Sequence, residues 1–214
     1  MGEGRTLYVG VDDSNHAGEI PGEIFVVTFS YDSKYINRSK IMGNTRCGIS
    51  NVEKFLEGGG DFRFTIRTPE TFTHSKENAA IVGPTLILNY FKEKNLYGSI
   101  DECFVDVDGG LCPKNKRLLG YDLGHLEVPE ILVHNFTKNW QGKISRWKDG
   151  REKNKNDREN HKGYRGCELV WLADGIAHKI LEEYRIVGLE EMEKRRRCYP
   201  EKFRLKKGIW TIMN

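Results

Sequence analysis

No two cysteines of this chain form a C-x-x-C pair. The five cysteines, Cys47, Cys103, Cys112, Cys167 and Cys198, are odd in number and widely spaced, which argues against a disulfide framework and against a zinc ribbon. His125 and His134 with Cys112 fit no standard zinc spacing. No apolar run reaches about 18 residues, the length a membrane-crossing helix needs, and no apolar signal region opens the chain. The expected setting is a reducing cytoplasm with no membrane partner. The glycine run "EGGGD" at Glu57–Asp61 lacks the Lys-Ser/Thr of a phosphate-binding loop and no strand runs into it. There is no internal repeat.

Charge is plentiful but uneven. The 214 residues suffice for one sizeable domain, expected to span 1–214, and their net charge is only +3. Ten basic residues against four acidic ones give Lys138–Arg165 a net +6, and nine against four give Arg185–Lys207 a net +5, leaving −8 for the rest. An acidic body with a basic insertion at about 138–165 and a basic tail at about 185–214 suits a polyanion held around an acidic centre. The insertion is too polar to hold a core and reads as a loop or a partly disordered segment. Its Trp140, Trp147 and Tyr164 can stack on bases or pin the segment to the body.

Leu7–Asp12 reads as a strand through the alternation of Leu7, Val9 and Val11, and Ile24–Phe29 ("IFVVTF") as a second. The turn-forming "DSNHAGEIPGE" between them predicts a hairpin. Phe62–Ile66 is a third strand, Ile100–Val107 a fourth and Glu130–His134 a short fifth, and "KKGIWTIM" closes the chain as a strand. Apolar spacing predicts a helix over Lys76–Lys94, kinked or late-starting at Gly83-Pro84, and a second, amphipathic one over Cys167–Tyr184. The long helical connection from strand three to strand four would place strand four beside strand one and parallel to it.

Asp12 and Asp13 end the first strand together, and adjacent carboxylates repel unless something positive neutralises them. In "FVDVDGG", alternation puts Phe104, Asp106 and Asp108 on one face and Cys103, Val105 and Val107 on the other. If strands one and four are parallel neighbours, these aspartates meet Asp12 at the carboxyl ends of the strands, where sites in open α/β sheets lie. On a helical wheel Asp174 falls within about 60° of Val170, Ala177 and Leu181, while Glu182 and Glu183 turn to solvent. A charge beside an apolar stripe is costly unless it is paired or bound to a cation. Lys179 is about 140° round the helix from Asp174 and cannot pair with it. Gly175 would let the helix sit tightly against the sheet, and Asp174 is expected within roughly 4–8 Å of Asp12 and Asp108, sharing cations with them. The alternatives are a turn and cap for Asp12 and Asp13, a β-turn at "DVDGG", and a basic partner for Asp174.

Three short motifs carry a resemblance. "GVDDSNHAG" resembles the "G-[IV]-D-E-[AS]-G" opening of type II ribonucleases H, in the ribonuclease H-like superfamily, with Asp12 and Asp13 on the Asp-Glu pair. "VDVDGGLCP" resembles their fourth-strand "[IV]-D-G-x-x-x-P", which puts the third carboxylate on Asp108, with Asp106 as competitor. "WLADGIAHKI" resembles the "L-A-D-x-[IV]-A" helix of a less characterised group in the superfamily, often encoded near mobile elements, and gives Asp174 the fourth position. Two departures stand out: Asp13 replaces Glu, and "NHAG" stands where type II enzymes carry "G-R-G" at the ribonucleotide junction, so hybrid specificity does not carry over.

The resemblance implies an α/β fold, a ribonuclease H-like mixed five-stranded sheet flanked by helices. It implies a nuclease with catalytic Asp12, Asp13, Asp108 and Asp174, and Mg²⁺ or Mn²⁺ on Asp12, Asp106, Asp108 and Asp174. The expected partner is nucleic acid (DNA, RNA or a hybrid), held by Lys143, Arg146, Lys148, Arg151 and Lys153. The alternative is a catalytically inactive nucleic-acid-binding protein on the same fold.

Overall fold

The computed structural model describes residues 5–14, 23–37, 41–42, 47–67, 83, 86–87, 89–108, 121–122, 127–128, 143–149, 164–197, 203–206 and 209–212. In chain order the elements are β1 (Thr6–Ser14), β2 (Glu23–Ser30), a 3₁₀ turn (Ser33–Ile36), β3 (Ile41–Met42), α1 (Ile49–Glu57), β4 (Asp61–Arg67) and β5 (Glu102–Val107). There follow β6 (Tyr121–Asp122), β7 (Glu127–Val128), β8 (Lys143–Asp149), β9 (Tyr164–Arg165), α2 (Glu168–Arg197), β10 (Phe203–Lys206) and β11 (Ile209–Ile212). A further helical segment lies within 83–93, ahead of β5.

β1 is the pivot. It pairs antiparallel with β2, from Tyr8 opposite Ser30 to Ser14 opposite Ile24, and β2 pairs antiparallel with β4. Its other edge pairs in parallel with β5, from Thr6 opposite Glu102 to Val11 opposite Val107, and β5 pairs in parallel with β8. The five-stranded sheet thus runs β4-β2-β1-β5-β8. The predicted hairpin and the predicted parallel neighbour are both present, the latter reached through a connection that carries helix, as parallel pairing demands.

Alternation divides the core into two layers. Leu7, Val9 and Val11 of β1, Phe25, Val27 and Phe29 of β2 and Cys103, Val105 and Val107 of β5 face Ile87, Tyr90 and Phe91 of the 83–93 segment. Ile24, Val26, Phe62, Phe64 and Ile66 face the other way, onto α1 and α2. β2 is buried on both faces, which is why its sequence is nearly continuously apolar. On the first face Arg63, almost fully buried, donates from Nε to Glu93 Oε2 at 2.8 Å and from Nη1 to Asp61 Oδ1 at 2.9 Å, with its guanidinium 4.9 Å from the Tyr90 ring centre. This buried cation ties the 83–93 segment to β4.

Three expectations need correction. The polar insertion is not all loop, because Lys143–Asp149 within it is β8 and supplies the fifth strand; the fifth strand expected at Glu130–His134 lies outside the described residues. Charged side chains are common on edge strands, where they deter pairing with other chains, and here they mask a strand behind a polar composition. The last helix outruns Tyr184 and continues through Arg197, broken at Gly188 (φ 77°, ψ 173°), a conformation open essentially to glycine alone. Beyond that break Met192 is fully buried in the same core as the first half of α2. Glu183, expected in solvent, is only 5% exposed; α2 packs against β1, β2, α1 and β11, which cover more of its first half than one apolar stripe.

Candidate functional site

Asp12, Asp106 and Asp108 are 1%, 0% and 8% exposed. β1 and β5 run side by side with Val11 opposite Val107, so Asp12 and Asp108 come one step further, opposite each other at the carboxyl ends of two parallel strands. The Asp108 N–H donates to the Val11 carbonyl at 2.9 Å, so the pairing extends to this last step. Both side chains alternate away from Val11 and Val107, onto the face that carries α2. The Asp13 N–H donates to Asp12 Oδ1 at 2.8 Å and steadies that carboxylate. Asp13 itself is turned to the opposite face, in register with Phe25 of the other core layer. The metal set expected from the sequence, Asp12, Asp106, Asp108 and Asp174, leaves Asp13 out.

Asp106 sits opposite Gly10, deeper than Asp108 by one pleat. The buried Cys167 thiol donates to the Tyr35 carbonyl at 3.6 Å and lies close enough to the Asp106 carboxylate to feel its charge. Burial first, then the Asp106 charge, pushes that thiol well above its ordinary value. Asp174, on α2, is partly buried. The Cys47 thiol is raised to about 12 by burial and then by the Asp174 and Glu168 charges. Gly175, next to Asp174, makes a close approach, but not to the sheet: a Cβ there would fall 2.6 Å from Cys47 Cβ and 2.8 Å from its carbonyl oxygen. The glycine that touches the sheet plane is Gly10, where a Cβ would lie 2.4 Å from the Leu169 carbonyl carbon.

A central strand flanked by one antiparallel hairpin on one side and two parallel strands on the other, with helices on both faces, is the arrangement the resemblance implies. The fold is α/β, a mixed five-stranded sheet with helices packed on it. Among solved structures, ribonuclease H2 from Pyrococcus horikoshii OT3 matches at 15% identity, over 95% of this chain and 80% of that one, with a TM-score of 0.38. A chain of the PCNA:RNase HII complex from Archaeoglobus fulgidus matches at 14% identity, over 94% and 80% of the two chains, with a TM-score of 0.36. No protein-family model and no curated protein matches the sequence.

Carboxylates at the ends of parallel strands are the oxygen donors that a hard divalent cation takes. Among the described residues, however, no three His, Cys, Asp or Glu side chains gather into a group that could hold a metal ion. What the fold preassembles is the Asp12/Asp108 pair. Of the basic residues, Lys143, Arg146 and Lys148 lie on β8, at register positions opposite Glu102, Phe104 and Asp106. Arg151 and Lys153 lie outside the described residues. Also among the described residues, no helix is long and apolar enough to cross a membrane. Sequence reasoning passed over Gly10 and Cys167. A glycine inside a strand is itself a sign of close backbone approach, and a thiol one residue ahead of an amphipathic helix stands where caps stand.

Proposed function

We propose that this chain is a divalent-cation-dependent nuclease acting on nucleic acid, with Asp12 and Asp108 as the carboxylates that hold Mg²⁺ or Mn²⁺ and Asp174 contributing from α2. The observation that carries this reading is the burial of Asp12 and Asp108 opposite each other at the ends of parallel strands, on the face covered by α2. Two like charges so placed are tolerated most readily when a cation lies between them. Such ions, when bound, activate a water and steady the leaving oxygen of an in-line displacement. The protein's own share is positioning. The Asp13 N–H holds Asp12, the β1–β5 register holds Asp108 against it, and the basic run from Lys143 to Lys153 supports a phosphate backbone alongside.

A second reading, a nucleic-acid-binding protein of the same fold without catalysis, is favoured by one observation: no group of three possible metal ligands among the described residues. A Mn²⁺ titration followed by thermal melting, with nuclease assays on DNA, RNA and hybrid duplexes, separates the two. The nuclease reading expects saturating Mn²⁺, at about 100 times its Kd, to stabilise the protein by about 2.7 kcal/mol, and Asp12→Asn to abolish both that gain and cleavage. Without cation, Asp12→Asn should melt at or above the wild-type temperature, because a like-charge contact is relieved. An Asp12→Asn protein that melts far lower without cation, beside a wild type indifferent to Mn²⁺, would show a structural aspartate and end the nuclease reading.

A further inference from the structure

Asp106 in β5 and Asp108 just past its end compete for the role of strand-end ligand, and their surroundings differ. Asp106 is completely buried and stands opposite Gly10 in the parallel register. Gly10 is the point where α2 meets the sheet: a Cβ there would come within 2.4–2.6 Å of three Leu169 atoms, two of them backbone. The Thr28 hydroxyl donates to the Leu169 carbonyl at 2.9 Å and lies 3.4 Å from the Gly10 carbonyl. The Cys167 carbonyl accepts from the Val170 and Trp171 N–H groups at 3.1 and 3.2 Å, which starts the helix. The Cys167 side chain, fully buried, lies close enough to the Asp106 carboxylate to feel its charge. Residues from three strands, Thr28 of β2, Gly10 of β1 and Asp106 of β5, therefore meet the first turn of α2.

We infer that Asp106 is a positioning residue and not a cation ligand: with Cys167 it docks the first turn of α2 on β1 and β5, and so sets where Asp174 stands. A carboxylate at this end of a helix is favoured by the partial positive charge of its first N–H groups. Asp174 follows Cys167 by seven residues, roughly 10 Å along the helix axis, so a tilt at the docked end displaces it. Asp108, one pleat further on and opposite Asp12, is left as the strand-end carboxylate. The part of the inference that concerns Asp174 and cations rests on the proposed function; the docking of α2 does not.

The test uses the full chain with Asp106→Asn, Asp106→Ala, Asp108→Asn, Cys167→Ala and Asp174→Asn, and two readouts: amide hydrogen exchange in the first turn of α2, and Mn²⁺ affinity. Exchange should quicken by about tenfold in Asp106→Ala and Cys167→Ala, because an undocked helix end opens locally, and stay near wild type in Asp106→Asn, which keeps the size and a polar oxygen beside the thiol. Mn²⁺ binding should weaken by about 10–100-fold in Asp108→Asn and remain near wild type in Asp106→Asn. A smaller weakening in Asp106→Ala should vanish in the Asp174→Asn background, because positioning acts through that residue. Should Asp106→Ala fail to fold, Cys167→Ala carries the exchange measurement. Asp106→Asn that loses Mn²⁺ as fully as Asp108→Asn, or first-turn exchange unmoved in both Asp106→Ala and Cys167→Ala, overturns the inference. A wild type that binds no Mn²⁺ defeats the proposed function alone, and the exchange measurement still decides the docking.

Discussion

Cys47, Cys103 and Cys167 are all buried, and burial is the main force raising each thiol from its ordinary value of 9.0, Cys47 to about 12. The unfolded chain ionises these thiols first. Stability is therefore complete below about pH 9 and falls as pH rises toward the folded-state values, by up to about 1.4 kcal/mol per thiol per pH unit. Scanning calorimetry between about pH 8 and 10.5 should show that fall, and Cys103→Ala should make it shallower; an identical slope would mean that other groups govern alkaline unfolding. At this same scale the sequence was most informative where side chains alternate. The period of two in β1 and β5 was enough to put Asp12, Asp106 and Asp108 on one face, and the same rule, carried one residue further, turns Asp13 away. It was least informative for Glu183, because a helical wheel assumes water on the far side, and α2 is covered by several elements at once.

Elements were legible in proportion to how much of each is apolar. β2 and the first half of α2 declare themselves, being buried on nearly every side. β8 does not: an edge strand with Lys143, Arg146 and Lys148 on it has the composition of a surface loop, and only its pairing with β5 makes it a strand. The docking of α2 was hidden as well, since Gly175 advertised a close approach that turned out to involve Cys47, while Gly10 was the one against which α2 meets the sheet. Gly10→Ala should therefore cost about 1–3 kcal/mol, the usual penalty of overpacking, and lower Tm by about 2–4 °C for each kcal/mol. Gly98→Ala, where nothing lies within 4 Å of the added carbon, should stay within about 0.5 kcal/mol of wild type. Equal melting of the two variants would mean that α2 can shift on β1 without cost.

For the whole molecule, a net +3 conceals an acidic body with two strongly basic stretches. Because β8 belongs to the sheet, these charges are tested by substitution and not by deletion. Replacing Lys143, Arg146, Arg151 and Lys153 with Gln should flatten the slope of log K against log salt for nucleic acid by about 0.7–0.9 for each phosphate no longer neutralised; an unchanged slope would place the backbone elsewhere. The β1–β5 pairing has a consequence in time as well as in space. β1 finds β2 across a short hairpin, whereas its parallel partner is some ninety residues away along the chain. Long-range pairing carries the larger loop-closure entropy and forms late. A chain emerging from a ribosome therefore has Asp12 and both strands of its hairpin long before the opposite carboxylate is synthesised, when about half of the protein has been made. Asp12 and Asp108 come opposite each other only as the backbone hydrogen bonds between their strands form, so the two aspartates meet in the same late step that closes the parallel half of the sheet.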